Sequence, residues 1–167
     1  NYRKVVLADY TGKDIADNVT GNAESKTATL QQIMRDLRHA AFKNPNDARI
    51  QTRLAVQYGR VFHLLQAESD NALPLSQIRD AAETGGFQTH EEMLEWLTRA
   101  FGDNIKYAFA AQKHARRAIE LNPLDGRVWL AYAELAFLDD APAGYDRKCI
   151  DQSLRLLPND ASVLYVA

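Results

Sequence analysis

The chain has 167 residues, of which 46% are hydrophobic and 25% are charged, so it can bury one core of ordinary size. Its formal net charge of −2 argues against a nucleic-acid-binding protein, because such proteins present a strongly basic surface. No apolar run approaches the roughly 18 residues that cross a bilayer, and no segment has the pattern of a signal peptide. We therefore expect no membrane insertion by this chain, and the sequence leaves its compartment open.

Residues 1–22 carry no helical periodicity, so we expect an irregular lead-in before a helical domain over residues 23–167. Apolar residues at helical spacing then predict a first helix, which starts either at a candidate capping box at Thr29 or a few residues earlier. This helix should end at Asn44-Pro45, because proline disfavours helical geometry in the residue before it. The apolar positions are Leu30, Ile33, Met34, Leu37 and Ala41.

Capping and helix-breaking residues bound the next three predicted helices. Asp47 can cap a helix that extends to about Glu68, and Pro74 opens a short helix that extends to about Thr84. Thr89 precedes a further helix, since a glutamate three residues later completes a capping-box pattern.

Three more helices are predicted over residues 104–121, 126–138 and 145–157, and no segment alternates in the manner of a β-strand. The predicted fold is all-α. Cys149 lies in the last of these helices and is the single cysteine, which excludes an intrachain disulfide. We expect it to be a buried small hydrophobic residue rather than a reactive thiol.

Three stretches repeat one design: the end of a helix, a proline, an aspartate two residues later, a small residue, and the first apolar residue of a new helix. Proline terminates one helix and aspartate caps the next. The stretches are residues 43–50, 121–128 and 156–163. Pro123 and Pro158 are 35 positions apart, and Pro45 and Pro123 are 78 apart, about twice a 39-residue unit. The longer interval is therefore predicted to hold two helical-hairpin units with an altered joint between them.

These joints resemble those of the tetratricopeptide repeat family, whose period is 34 residues. The clearest match carries the family's residue types at Trp129, Ala133, Leu154 and Pro158. The resemblance covers about residues 26–167 and departs from the family pattern at residues 66–104. It implies antiparallel helical hairpins stacked as a right-handed superhelix, an α-α solenoid, with the first helix of each hairpin lining a concave groove.

Two further expectations depend on this match. Trp129 should be largely buried, close to Ala115 or Ala118, because small residues let a large ring approach. The last joint begins a helix at the end of the chain, and Val163 and Leu164 would make a poor polar cap for a repeat array. We therefore expect the domain to be truncated at its C-terminal end.

No constellation of catalytic, cofactor-binding or metal-ligating residues is apparent. The four histidines are scattered, and His90-Glu91-Glu92 lacks the second histidine of a zinc-binding helix. The adjacent acids Asp139-Asp140 and Glu91-Glu92 are interpreted as solvated turns or helix starts. The predicted protein is not an enzyme and uses no cofactor or metal.

The candidate partner-binding residues are four arginines. Arg49, Arg53 and Arg60 share one face of the second helix, and Arg127 is the counterpart of Arg49 one joint later. In a concave groove they would accept acidic groups through charge-assisted hydrogen bonds. The alternative is a charged face that is merely solvated.

The predicted function is a protein–protein interaction scaffold that binds a partner peptide or protein, with acidic groups on the partner if the arginines take part. The alternative is an accessory repeat domain of a larger membrane-anchored or polymer-assembling enzyme whose catalytic part lies outside this sequence. A full-length sequence with a catalytic or transmembrane segment would favour the alternative.

Overall fold

The computed structural model describes residues 23–69, 72–142 and 144–166, and these residues form helices and connecting turns without a β-strand. The all-α prediction is confirmed for this part of the chain, while the expected lead-in over residues 1–22 lies outside it. In chain order the α-helices are α1 (Ala23–Lys43), α2 (Ala48–Ala67), α3 (Leu75–Thr84), α4 (His90–Phe101), α5 (Ile105–Leu121), α6 (Gly126–Ala133), α7 (Tyr145–Leu156) and α8 (Ala161–Val166). Short 3-10 helices, Gly102–Asn104 and Ala136–Leu138, precede α5 and follow α6.

Most of the predicted helix starts coincide with the observed ones. The carboxylate of Asp47 accepts hydrogen bonds from the amides of Arg49 at 2.9 Å and Ile50 at 3.3 Å, and so caps α2. The hydroxyl of Thr89 likewise accepts from the third residue of α4. Of the two predicted starts of the first helix, the earlier one is observed: α1 begins at Ala23, and Thr29 lies inside it rather than at a capping box.

The three proline joints have the same backbone hydrogen bonds. At each joint the backbone amide of the residue before the proline donates to the carbonyl four residues earlier. The backbone amide of the capping aspartate donates to the carbonyl three residues earlier. The first bond joins Asn44 to Ala40 (2.9 Å), Asn122 to Ala118 (2.8 Å) and Leu157 to Ser153 (2.8 Å). The second joins Asp47 to Asn44 (3.2 Å), Asp125 to Asn122 (3.3 Å) and Asp160 to Leu157 (3.2 Å). The predicted recurrence of the joint is confirmed in its geometry.

A side-chain bond distinguishes the first two joints from the third. The residue six positions after the proline donates to the proline carbonyl, from Gln51 Nε2 to Pro45 at 2.9 Å and from Trp129 Nε1 to Pro123 at 2.8 Å. Leu164 occupies this position at the third joint, where its aliphatic side chain cannot donate and is 55% exposed.

The helix pairing corrects one prediction. The most extensive helix–helix contact is between α2 and α5, which are separated in sequence by α3 and α4. The interval between Pro45 and Pro123 thus contains one antiparallel pair, α2–α5, with α3 and α4 inserted, instead of two hairpin units. The buried face of α5 is an alanine stripe, which lets the backbone of α2 approach closely. Its fully buried members are Ala108, Ala111, Ala115 and Ala118.

The inserted helices pack on one end of the α2–α5 pair. Phe62 of α2, Ile78 of α3 and Leu97 of α4 are each at most 1% exposed and belong to one apolar cluster. The same cluster includes Leu135 and Leu138, at the 3-10 turn that follows α6. The insertion therefore extends the core rather than lying apart from it.

The hairpin α6–α7 is closed by a serine and a glycine. The buried hydroxyl of Ser153 donates to the carbonyl of Gly126 at 2.7 Å. A Cβ atom at Gly126 would lie 2.7 Å from Cγ of Leu157, so the two helices approach more closely than an alanine would permit without a shift. This contact gives the buried Ser153 hydroxyl a hydrogen-bond partner.

Trp129 lies where the sequence predicted but is less buried. Its ring packs on the cluster that contains Ala115 and Ala118, and it is only partly buried. The ring nitrogen reaches out to the carbonyl of Pro123, which keeps one edge of the indole near solvent.

Candidate functional site

The solvent face of α2 carries three of the four predicted arginines. At about 100° per residue, Arg49, Arg53 and Arg60 fall within about 40° of one another. They lie opposite the buried stripe of the helix, which includes Leu54 and Phe62. Arg49 and Arg60 are exposed and Arg53 is partly buried. The structure therefore brings these three side chains to one side of the helix.

The fourth arginine lies at the equivalent position on α6. The Thr52 hydroxyl oxygen in α2 lies 3.3 Å from a carboxylate oxygen of Asp125, the residue that caps α6, so the N-terminal ends of the two helices are adjacent. Arg127 follows this cap as Arg49 follows Asp47. Its Nε lies 4.0 Å from a carboxylate oxygen of Asp160, with 78% of the arginine side chain exposed. An ion pair this exposed contributes about 0–1 kcal/mol, so another carboxylate can replace it.

The basic residues near the end of α5 form a different arrangement. Arg117 donates to Asn46 at 2.7 Å and to Glu120 at 2.9 Å, which ties α5 to the joint before α2. Arg116 lies 3.6 Å from Glu120 and 3.5 Å from Asp139. These contacts give the patch a structural role.

A chain of polar and aromatic groups crosses from α1 through α2 to α5. Gln51 donates to Pro45 through its amide nitrogen, so its oxygen faces His114, and Nδ1 of the histidine lies 2.7 Å from it. We infer that Nδ1 carries the proton and that Nε2 is the atom that titrates. The His114 ring stacks on Tyr58 with 5.4 Å between centroids, and the guanidinium of Arg38 lies 5.9 Å from the Tyr58 ring.

Burial of His114, and secondarily the charge of Lys113, lowers the pKa of the histidine below its ordinary value of 6.5. The folded protein therefore prefers the neutral ring, whereas the unfolded chain takes up the proton near pH 6.5. Above pH 6.5 the contribution of the neutral ring to the free energy of unfolding is fully present. This contribution is lost as the pH falls from 6.5 towards the lowered pKa of His114.

We expect urea unfolding at pH 7.5, 6.5 and 5.5 to show a smaller loss of stability on acidification in His114→Gln than in the unmodified protein. His39→Gln, on the exposed side of α1, removes the same titratable group and serves as the matched control. Equal pH dependence in all three proteins would contradict the assignment to His114.

A cleft of about 400 Å³ lies between the α3–α4 turn and residues 139–142 and 144–146. Its walls are aromatic and acidic, with Phe87, Phe137 and Tyr145 beside Asp139 and Asp146. The Tyr132 hydroxyl donates to Asp139, and Arg79 lies 3.7 Å from Asp146. Asp139 is thus a partnered residue that holds the turn, which corrects its interpretation as merely solvated.

Two titratable groups on α6 and α7, close to this cleft, have raised pKa values. Burial, followed by the bond to Asp139, raises the pKa of Tyr132, and burial raises the pKa of Cys149 to about 11. Cys149 is 1% exposed, so the prediction of a buried, unreactive thiol agrees with the structure. Within residues 23–69, 72–142 and 144–166, no three His, Cys, Asp or Glu residues are grouped to hold a metal ion.

Among the helices that the structure describes, none combines the length and the apolar character needed to span a bilayer. Comparison with protein-family models, with curated proteins and with solved structures gives no match to this chain. The resemblance to tetratricopeptide repeats therefore depends on the residues and joints described above.

Proposed function

We propose that this chain is an interaction scaffold that binds a partner protein or peptide along the solvent face of α2 and the adjacent α6. One observation carries the proposal. Arg49, Arg53 and Arg60 lie on one face of a helix that contains no aspartate or glutamate. In a chain of net charge −2, this face is a local positive surface, and carboxylate groups complement it through charge-assisted hydrogen bonds.

The recurring joints support a tetratricopeptide-like arrangement of the domain. In that arrangement α2 and α6 are the first helices of successive units, α5 and α7 are the second helices, and the array curves as a right-handed superhelix. The face with the arginines then lines the concave groove. The contact between Thr52 and Asp125, which brings the starts of α2 and α6 together, is compatible with this placement.

Charge reversal on this face should weaken the binding of an acidic probe. We expect Arg53→Glu combined with Arg60→Glu to weaken the binding of a fluorescent twelve-residue polyglutamate peptide about tenfold, since each exposed ion pair contributes up to about 1 kcal/mol. Fluorescence anisotropy at 50 and 150 mM salt measures the change. Affinity of the unmodified protein should fall at the higher salt, because screening shortens the reach of exposed charges to about 8 Å.

Arg99→Glu combined with Arg155→Glu is the matched control. Both of these arginines are exposed, on α4 and α7, and the two pairs of changes alter the net charge equally. We expect the control to change affinity by less than twofold, with circular dichroism unchanged in both variants. Equal weakening in both would refute a specific site, as would the absence of polyglutamate binding to the unmodified protein at 50 mM salt.

A further inference from the structure

Exposed apolar side chains flank one arginine on the solvent face of α2. Val56, Arg60 and Leu64 are spaced four residues apart, so they form one line along the helix, which we name the α2 ridge. Val56 is 37% exposed and Leu64 is 40% exposed, whereas Phe62, on the opposite side of the helix, is 1% exposed. The ridge therefore presents a positive charge between two aliphatic groups.

The surroundings of the ridge determine which charge it attracts. Arg53 lies one turn before it, and His63 is exposed beside it on the same helix. Two carboxylates border this end of α2, that of Glu68, the capping residue four positions after Leu64, and that of Glu134 at the end of α6, on which His63 and Arg79 act. At Arg53 and Arg60 a partner thus meets positive charge beside exposed apolar surface, and the two carboxylates lie beyond Leu64.

The spacing of the ridge matches an extended peptide. Eight residues separate Val56 from Leu64, which is about 12 Å along a helix at 1.5 Å per residue. An extended chain covers that distance in about four residues at 3.3–3.6 Å each. Residues i, i+2 and i+4 of such a chain point to the same side, so they can meet Val56, Arg60 and Leu64 in turn.

We propose that the α2 ridge binds an extended segment of a partner protein with the pattern aliphatic–any–acidic–any–aliphatic. This inference rests on the proposed function, and it adds the partner's sequence pattern to it. The central carboxylate pairs with Arg60, and the two aliphatic side chains cover Val56 and Leu64. The apolar contacts make part of the affinity independent of salt, because screening does not act on them.

Two peptides of identical composition and charge test the pattern. The first is Glu-Glu-Leu-Ser-Glu-Ser-Leu-Glu-Glu, in which both leucines and the central glutamate share one side of an extended chain. The second is Glu-Glu-Ser-Leu-Glu-Leu-Ser-Glu-Glu, in which the leucines face away from that glutamate. We expect the unmodified protein to bind the first about tenfold more tightly at 150 mM salt, measured by anisotropy of the labelled peptides.

Variants assign the preference to the ridge. Val56→Ser combined with Leu64→Ser should reduce the affinity for the first peptide to that for the second. Leu73→Ser combined with Leu164→Ser removes two other exposed leucines, 42% and 55% exposed, and should leave the preference intact. Thermal unfolding checks that both variants remain folded, and the peptide comparison on the unmodified protein tests the pattern without any substitution.

The outcomes separate the two proposals. Equal binding of the two peptides, with loss of both in Arg53→Glu/Arg60→Glu, overturns the ridge pattern and leaves the scaffold proposal standing. A preference that persists in Val56→Ser/Leu64→Ser overturns the assignment to the ridge. Absence of binding of both peptides overturns both proposals. Binding of a nine-nucleotide single-stranded oligoadenylate at least as tightly as the first peptide would show a nucleic-acid surface instead and also overturn both.

Discussion

We expect Phe62→Ala to lower the free energy of unfolding by about 3–5 kcal/mol, as replacement of large buried aromatic residues generally does. The Phe62 side chain is 1% exposed and belongs to the cluster in which α2, α3, α4 and α5 meet. Its removal leaves a cavity whose walls belong to four different helices, so no single side chain can move to fill it. Urea unfolding followed by circular dichroism measures the change.

Leu64→Ala provides the control on the same helix two residues later. This leucine is 40% exposed, so its truncation should lower the free energy of unfolding by much less than Phe62→Ala does. If the two substitutions destabilised the protein equally, the orientation of α2 would be wrong, and the solvent face assigned to its arginines would be wrong with it.

We expect Ala115→Leu to destabilise the protein by about 1–3 kcal/mol, although leucine is the more hydrophobic side chain. Ala115 is fully buried in the α5 stripe, and Ala55 of α2 belongs to the same cluster. Small residues on both helices allow the close approach of α2 and α5. The isopropyl group that leucine adds must therefore separate the helices or displace Trp129, which packs on this cluster.

Ala110→Leu is the matched change, because Ala110 is on the same helix and only partly buried. We expect it to alter stability by less than about 0.5 kcal/mol, as for most changes away from a packed site. Urea unfolding measures both the denaturation midpoint and the m value. A lower midpoint with an unchanged m value indicates a loss of packing in the folded protein rather than a change in the unfolded state. Stabilisation by Ala115→Leu would show that α2 and α5 do not pack closely at this point.

Candidate sites differ in how far sequence patterns could identify them. The spacing of Arg49, Arg53 and Arg60 is enough to place them on one face of α2, since helical geometry alone determines which residues share a side. His114 gave no such signal. Its partner Gln51 is 63 positions away, so the bond between them depends on the α2–α5 contact. Asp139 was missed for a similar reason, because the turn that brings it to Tyr132 and Arg116 follows from the packing of α6 on α5 and α7.

The sequence by itself determined most of the helix starts and the recurring joint. Asp47, Asp125 and Asp160 each bond to an amide two residues later, and each proline terminates the helix before it. These interactions span only a few residues, so local spacing suffices to predict them. Only the tertiary structure decided that α2 pairs with α5 across an inserted pair of helices. Several amphipathic helices could bury the apolar face of α2. The choice among them depends on which side chains fit together in volume, and these side chains come from segments that are far apart in the sequence.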